Sequence, residues 1–548
     1  MALCIIRKIY PCCQNRCLGA PAGPAALAVS VVLLVVTTAG AEKQGDSTPA
    51  ADRQAEIHRL IEQLGDRDFT ARDRAQEQLA KIGEEAFNAL TVAANDPDLE
   101  IASRARYLLR KIEVPAVRDG DSDQVRAILA DYRSASSSER LRKVQSLLLL
   151  PQGEGSAAAC RLCHIEKSPL LAKFAALEVI NRWPVHAEGR RRMKQAIDGE
   201  LRLSGQPSAE WLRCYRQLDD DPEGRLDAWR RLAAAEAELL SQFPARSDPR
   251  LVASLLFHLA CWESQAGRQA AAEVHFKEGQ KRVAALAEET IEFHLDMAYF
   301  FRQRGKVDWA VDEYRVVRAM GYDEYVPFAQ IGLAEALHDA GRDREAAEAL
   351  DVILQLAKRQ KLQSLDLLES SPEKIAARMH YMRAREALQQ GNAQQHRHHL
   401  DEALKNDPEE LDALIAAYRL TDLGDERRGK TAALIARAAA SLRLQAEQTP
   451  DDPAAHNQFA WLVGNTTGDI SAALRHARRA VELGPENGAY LDTLAHVYFY
   501  GLNDYPNAVK YQSLAAEYMP YSGLIAQKLE LFRQKAEPPG GNDAERGP

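Results

Sequence analysis

The chain has 548 residues, too many for one compact core, so it divides into domains or runs as an extended repeat array. Hydrophobic residues at 46% and charged residues at 27% exclude a largely disordered chain, and a formal charge of -9 argues against wrapping nucleic acid, whose phosphates demand clustered cations. Only 24 prolines and 31 glycines interrupt a sequence rich in Ala, Leu, Arg, Gln and Glu, residues that lose little freedom in a helix, so the expected fold class is all-α.

Residues 1–41 read as an export signal. Arg7, Lys8 and Arg16 form a basic start, residues 25–36 are an uncharged apolar run, and Ala39-Gly40-Ala41 supplies the small residues a signal peptidase needs. Cleavage would leave Glu42 first and place the chain in the periplasm or cell envelope. The alternative is an uncleaved anchor over residues 20–41, which carry no charge; only then would the protein contact a membrane. Cys4, Cys12, Cys13 and Cys17 leave with the leader. The remaining Cys160, Cys163, Cys214 and Cys261 leave room for one bridge and require none. Residues 42–52 read as a disordered linker.

Two kinds of internal repeat follow. Residues 64–82 realign on 94–112 at an offset of 30: Asp66 on Asp96, Asp68 on Asp98, Arg74 on Arg104, Ala75 on Ala105, Leu79 on Leu109 and Ile82 on Ile112. Each copy has an acidic turn able to cap a helix, then apolar residues at helical spacing. Residues 53–113 thus resemble the HEAT-repeat family, which implies stacked helical pairs. Residues 114–250 carry helical stripes at 141–150, 157–165 and 170–180, with Ser168-Pro169 marking a helix start. They read as degenerate helical hairpins.

The second repeat fills residues 251–535. Phe459, Ala460, Ala473, Ala480 and Pro485 realign at an offset of 35 on Leu494, Ala495, Ala508, Ala515 and Pro520. Ala298, Gly305, Ala310 and Tyr314 realign at 36 on Ala334, Gly341, Ala346 and Leu350. Looser copies run through Ala260, Gly267, Ala272 and Phe276, and through Ala384, Gly391, Leu400, Ala403 and Pro408. Two helices and two turns fill such a period; small residues let the axes approach, glycine closes the first helix and proline ends the unit. This resembles the tetratricopeptide repeat (TPR) family, interrupted near residues 358–373. The departures are His396, at a position the family fills with a small residue, and residues 411–448, whose second helix is overlong. The whole is therefore expected to be an α-solenoid of stacked antiparallel helical hairpins, HEAT-like and then TPR. Residues 536–548 read as a disordered tail.

Three motifs invite chemical readings. Cys160-Arg161-Leu162-Cys163-His164 spells C-x-x-C-H, the pattern that attaches c-type haem, but it sits in an alanine-rich helix where the three residues read as packing. Gly424 to Thr431 matches G-x-x-x-x-G-K-T, yet a helix precedes it where a phosphate loop needs a strand, so it reads as a turn between helices. His396, His398 and His399 have partial metal spacing without a partner beside them in sequence, and read as a solvated face. Asp219-Asp220-Asp221 before Pro222 reads as a helix cap rather than a calcium site. No cofactor, metal or catalytic set is assigned.

Recognition remains. In the TPR family the first helices line a concave groove that grips a peptide or protein. The resemblance implies that Tyr299, Glu335, Arg385, Trp461 and His496, each following the small residue of its first helix, line it here; the rival reading makes some of them packing between repeats. The expected function is a non-catalytic scaffold for partner proteins or peptides in the cell envelope. The alternatives are a haem redox component through Cys160, Cys163 and His164, and a helical accessory domain for envelope polysaccharide.

Overall fold

Helix is the only regular structure in the computed structural model over residues 50–536, which it describes apart from 95, 203, 287–289, 361, 369 and 422–423; these residues form 27 helices and no strand. The protein is an all-α helical-repeat fold. Residues 1–49, with the segment read as an export signal and most of the segment read as a linker, and residues 537–548, most of the segment read as a tail, lie outside the described residues. Within them, no helix is long and apolar enough to cross a membrane.

The described chain forms two compact units. One holds residues 50–183 and 191–255. Its helices are α1 (Ala50–Gln63), α2 (Phe69–Ile82), α3 (Glu84–Ala93), α4 (Leu99–Lys111), α5 (Asp123–Leu129), α6 (Ser137–Leu148), α7 (Ser156–Ile165), α8 (Pro169–Asn181), most of α9 (Ala187–Leu201), α10 (Pro207–Asp220) and α11 (Pro222–Gln242). Helix α1 starts inside the segment read as linker, because Ile57 and Leu60 give it a buried stripe.

The acidic turns do what their chemistry suggests. In the first copy Asp68 caps α2 through the Thr70 amide while Asp66 accepts from the Asp68 amide (2.8 Å); in the second, Asp98 caps α4 through the Glu100 amide and Asp96 accepts from the Asp98 amide (2.8 Å). Ser168 caps α8 with Pro169 at its first position, and Asp221 caps α11 the same way ahead of Pro222. The core of this unit includes Trp229, whose indole donates to the Leu255 carbonyl (3.0 Å).

The second unit holds residues 184–190 and 256–536. It takes in most of α12 (Pro249–Gln265) and then α13 (Gln269–Val283), α14 (Ile291–Gln303), α15 (Val307–Ala319), α16 (Val326–Asp339), α17 (Asp343–Ala357), the short α18 (Gln363–Leu367), α19 (Pro372–Gln389), α20 (Ala393–Asn406), α21 (Leu411–Tyr418), α22 (Asp425–Gln448), α23 (Pro453–Asn465), α24 (Ile470–Leu483), α25 (Gly488–His496), α26 (Tyr505–Tyr518) and α27 (Gly523–Ala536). Successive helices pack as pairs: α14 on α15, α16 on α17, α19 on α20, α23 on α24 and α25 on α26.

The repeat landmarks sit at these crossings. Ala298, Ala310, Ala334, Ala346, Ala460, Ala473, Ala495 and Ala508 are all buried. At Gly305 and Gly341 the backbone turns left-handed, φ 67° and 74°. The residue after each donates its amide five residues back, Lys306 to Phe301 (2.9 Å) and Arg342 to Leu337 (2.8 Å), which satisfies a carbonyl the helix end would otherwise orphan. His396 fills its small-residue slot by folding its ring back so that Nδ1–H donates to the Ala384 carbonyl (2.8 Å). The pair α21–α22 is lopsided, 8 residues against 24. Beyond α25 the helix widens into a π turn over residues 497–501, a feature the repeat pattern does not encode.

Candidate functional site

Helices α16, α19, α20, α21, α23, α25 and α27 contribute residues to a shared cleft. Around Ala384 in α19, the positions one turn before and after it bring Tyr381 and Leu388 to the same face as Arg385. Asp339 from α16, Asp412 and Ile415 from α21, Trp461 from α23, His496 from α25 and Lys528 from α27 complete a cleft of about 720 Å³. That size suits a segment of chain or a small molecule.

Asn465, at the end of α23, organises the floor. Its Oδ1 accepts from Arg419 Nη2 (2.6 Å) and from His496 Nδ1–H (2.8 Å), and its Nδ2 donates to the Trp461 carbonyl (2.9 Å). The Trp461 indole donates to Asp412 (3.0 Å) and its ring lies 4.8 Å from that of His496. Asp412 also receives Arg378 Nη1 (2.6 Å), which bonds Glu410 at 2.9 Å. Two carboxylates thus share one guanidinium. Burial pushes the Glu410 carboxyl up to about 7 against the pull of Arg378, and Asp412 adds to the push.

The cations differ in how far they are neutralised. Arg302 bonds both Glu335 (3.0 Å) and Asp339 (2.6 Å). Among the described residues, Arg419 and Lys528 meet no carboxylate and flank the Tyr500 ring, at 4.2 and 5.9 Å from its centroid. The cleft therefore offers apolar surface from Leu388, Ile415 and Trp461 beside two positive charges. Arrayed this way, the residues can bind a partly apolar, partly anionic segment.

Of the five residues implied by the resemblance, the structure brings Arg385, Trp461 and His496 to this cleft. His496 is buried, held by Asn465 and against Phe532 (ring centroids 5.4 Å), so it packs between repeats as well as forming the floor. Glu335 is not among the cleft walls; it reaches Arg302, and Asp339, one turn on, takes the wall position. Tyr299, half-buried in α14, is not a wall residue either. Sequence reasoning missed Tyr381, Leu388, Arg419, Asn465 and Lys528. Stepping one turn either way from Ala384 would have found the first two; nothing local marks the others.

The C-x-x-C-H motif resolves as packing. In α7, Cys160 and Cys163 are fully buried, and all four described cysteines are free. Burial pushes both thiols well up, and the Cys163 thiol donates to the Ala159 carbonyl (3.3 Å). His164 Nδ1 lies 2.8 Å from Ser204 Oγ and its ring stands edge-on to Phe87. Arg161 between them is buried too, its guanidinium forked onto Asp121 at 2.7 and 2.8 Å. Thioether attachment needs both sulfurs at a surface facing the porphyrin edge, and here both are sealed inside the helical layer. These residues do not fit a haem. The phosphate-loop match is corrected in detail: only Gly424 lies in the turn, and residues 425–431 are the first turns of α22, where Lys430 pairs with Glu426 (2.6 Å). A helix rather than a loop leaves no cradle for phosphate.

No protein-family model matches the sequence, and no curated protein matches it. Similar solved structures include a thermophilic TPR protein of Thermus thermophilus, 16% identical over 37% of this chain and 97% of that one, with a TM-score of 0.26. Yeast Tom70 is 13% identical over 88% and 83% of the two chains, TM-score 0.28. The TPR2AB domain of yeast Sti1, solved as a complex with pHSP90, is 14% identical over 45% and 98%, TM-score 0.17.

Proposed function

We propose that the chain is a non-catalytic scaffold of the TPR type that holds an extended segment of a partner protein in the α16–α27 cleft. One observation carries this reading: residues as far apart in sequence as Asp339 and Lys528 converge on a cleft of about 720 Å³, with apolar walls and two cations lacking a described carboxylate. Alternate side chains of an extended peptide would meet Leu388 and Trp461, while its carboxylates would meet Arg419 and Lys528. The same reading places the protein in the cell envelope, which the export signal at residues 1–41 supports; N-terminal sequencing of the exported protein should then begin at Glu42.

Peptides selected on the purified protein from a displayed library, then measured by fluorescence polarisation, test the cleft. Leu388 is 57% exposed, so Leu388→Asp leaves the fold intact and should weaken binding about tenfold or more, roughly 1.4 kcal/mol or above. Arg419→Ala should weaken acidic peptides most, with a loss that shrinks as salt rises. Val274→Asp, at a 65% exposed site that is not a cleft wall, should change nothing. Binders indifferent to both cleft variants would remove the assignment.

A further inference from the structure

The histidines of α20 acquire a partner that the sequence does not place beside them. His399 meets His380 of α19 with their Nδ1 atoms 3.2 Å apart and their rings inclined at 31°. A tetrahedral ion with metal–nitrogen bonds of about 2.0–2.1 Å holds two nitrogens about 3.3 Å apart. Without an ion the two rings share an N–H···N hydrogen bond, and the same spacing lets both nitrogens take one ion in its place. His398 is exposed, with its ring 5.2 Å from that of His399. Glu402 lies one turn further along α20, four residues from His398 and three from His399, on the same helix face. Its carboxylate acts electrostatically on both His380 and His398, and its bond to Lys405 (3.2 Å) is a short-range surface pair that another cation can displace.

We propose that His380, His398, His399 and Glu402 form a binding site for a divalent transition-metal ion, a three-imidazole, one-carboxylate set suited to Zn²⁺, which ties α19 to α20. Two of the donors are already in place. Among the described residues no three such groups yet converge on one point, so His398 and Glu402 complete the set by turning about their own side-chain torsions, which their position at the surface permits. Of the charged groups facing the pair, Arg383 opposes a cation here, while Glu386 and Glu402 favour one.

A second histidine pair supplies the contrast. His456 and His476 bridge α23 and α24 with Nδ1 atoms 2.7 Å apart, too close to share a tetrahedral ion. His456 Nε2–H donates to the Pro450 carbonyl (3.0 Å), which fixes its tautomer and leaves Nδ1 to accept from His476. That pair is an ordinary hydrogen bond. The His380–His399 pair has no such second bond among the described residues, and the site stands apart from the cleft proposed above.

Untagged, chelator-treated full-length protein titrated calorimetrically with ZnCl₂ should bind one ion with a Kd of about 10 µM or tighter. Co²⁺ in place of Zn²⁺ should give the visible absorption of a tetrahedral site. His380→Gln and His399→Gln should each weaken Zn²⁺ binding about tenfold or more, and so should His398→Ala and Glu402→Gln, whose surface positions leave the fold untouched. His456→Gln should leave binding unchanged. Binding weaker than about 100 µM, or binding that survives His380→Gln and His399→Gln in variants whose circular dichroism is unaltered, would overturn the site.

Discussion

His164 and its neighbours show what burial does to residues that look reactive in sequence. Enclosure pulls the His164 pKa down to about 4, with Arg118 and Arg213 adding to the shift, so the ring is neutral at physiological pH. Because its folded pKa lies below the unfolded 6.5, the unfolded chain takes the proton first as pH falls. The contribution to stability is complete above about pH 6.5 and is lost progressively toward about pH 4, about 2 kcal/mol of it by about pH 5. Urea midpoints at about pH 7.5 and about pH 5 should therefore fall further for the native protein than for His164→Gln. Equal falls would mean that the imidazole is not held neutral. The C-x-x-C-H spacing was legible in the sequence. Its burial was not, because the groups that enclose it, Asp121 on Arg161 and Ser204 on His164, lie 40 residues away.

Helix ends were far easier to read. A cap is decided by residues within one turn, so Asp68, Asp98, Ser168 and Asp221 could be assigned from their neighbours alone. The closing glycines are equally local. An added Cβ at Gly341 would meet no atom within 4 Å, so the cost of filling that position is purely the left-handed backbone. Gly341→Ala should destabilise by about 1–2 kcal/mol, and Gly341→Asn by less, since asparagine tolerates that conformation. Chemical denaturation of the two variants checks the order, and equal losses would point to a packing cause instead. The 24 residues of α22 were visible as an overlong helix, but the π turn after His496 was not: it inserts without a break in the apolar pattern.

At the scale of the molecule, two compact units imply two unfolding events. Trp229 is fully buried in one and Phe532 in the other. Either aromatic replaced by alanine should cost about 3–5 kcal/mol locally. Scanning calorimetry should show Trp229→Ala lowering one transition and Phe532→Ala a different one; a single transition moved by both would mean that the units unfold together. By itself the sequence determined the helical class, the two repeat periods and the residues at helix crossings and caps, because each depends on neighbours a few positions away. Only the tertiary structure decided that Arg385, Trp461 and His496 share a cleft while Tyr299 and Glu335 stay off its walls, that Asn465 joins three of its residues, and that His380 faces His399. Those meetings depend on how repeats stack, and small differences in helix length, such as those of α21 and α22, redirect which side chains converge without altering the local pattern.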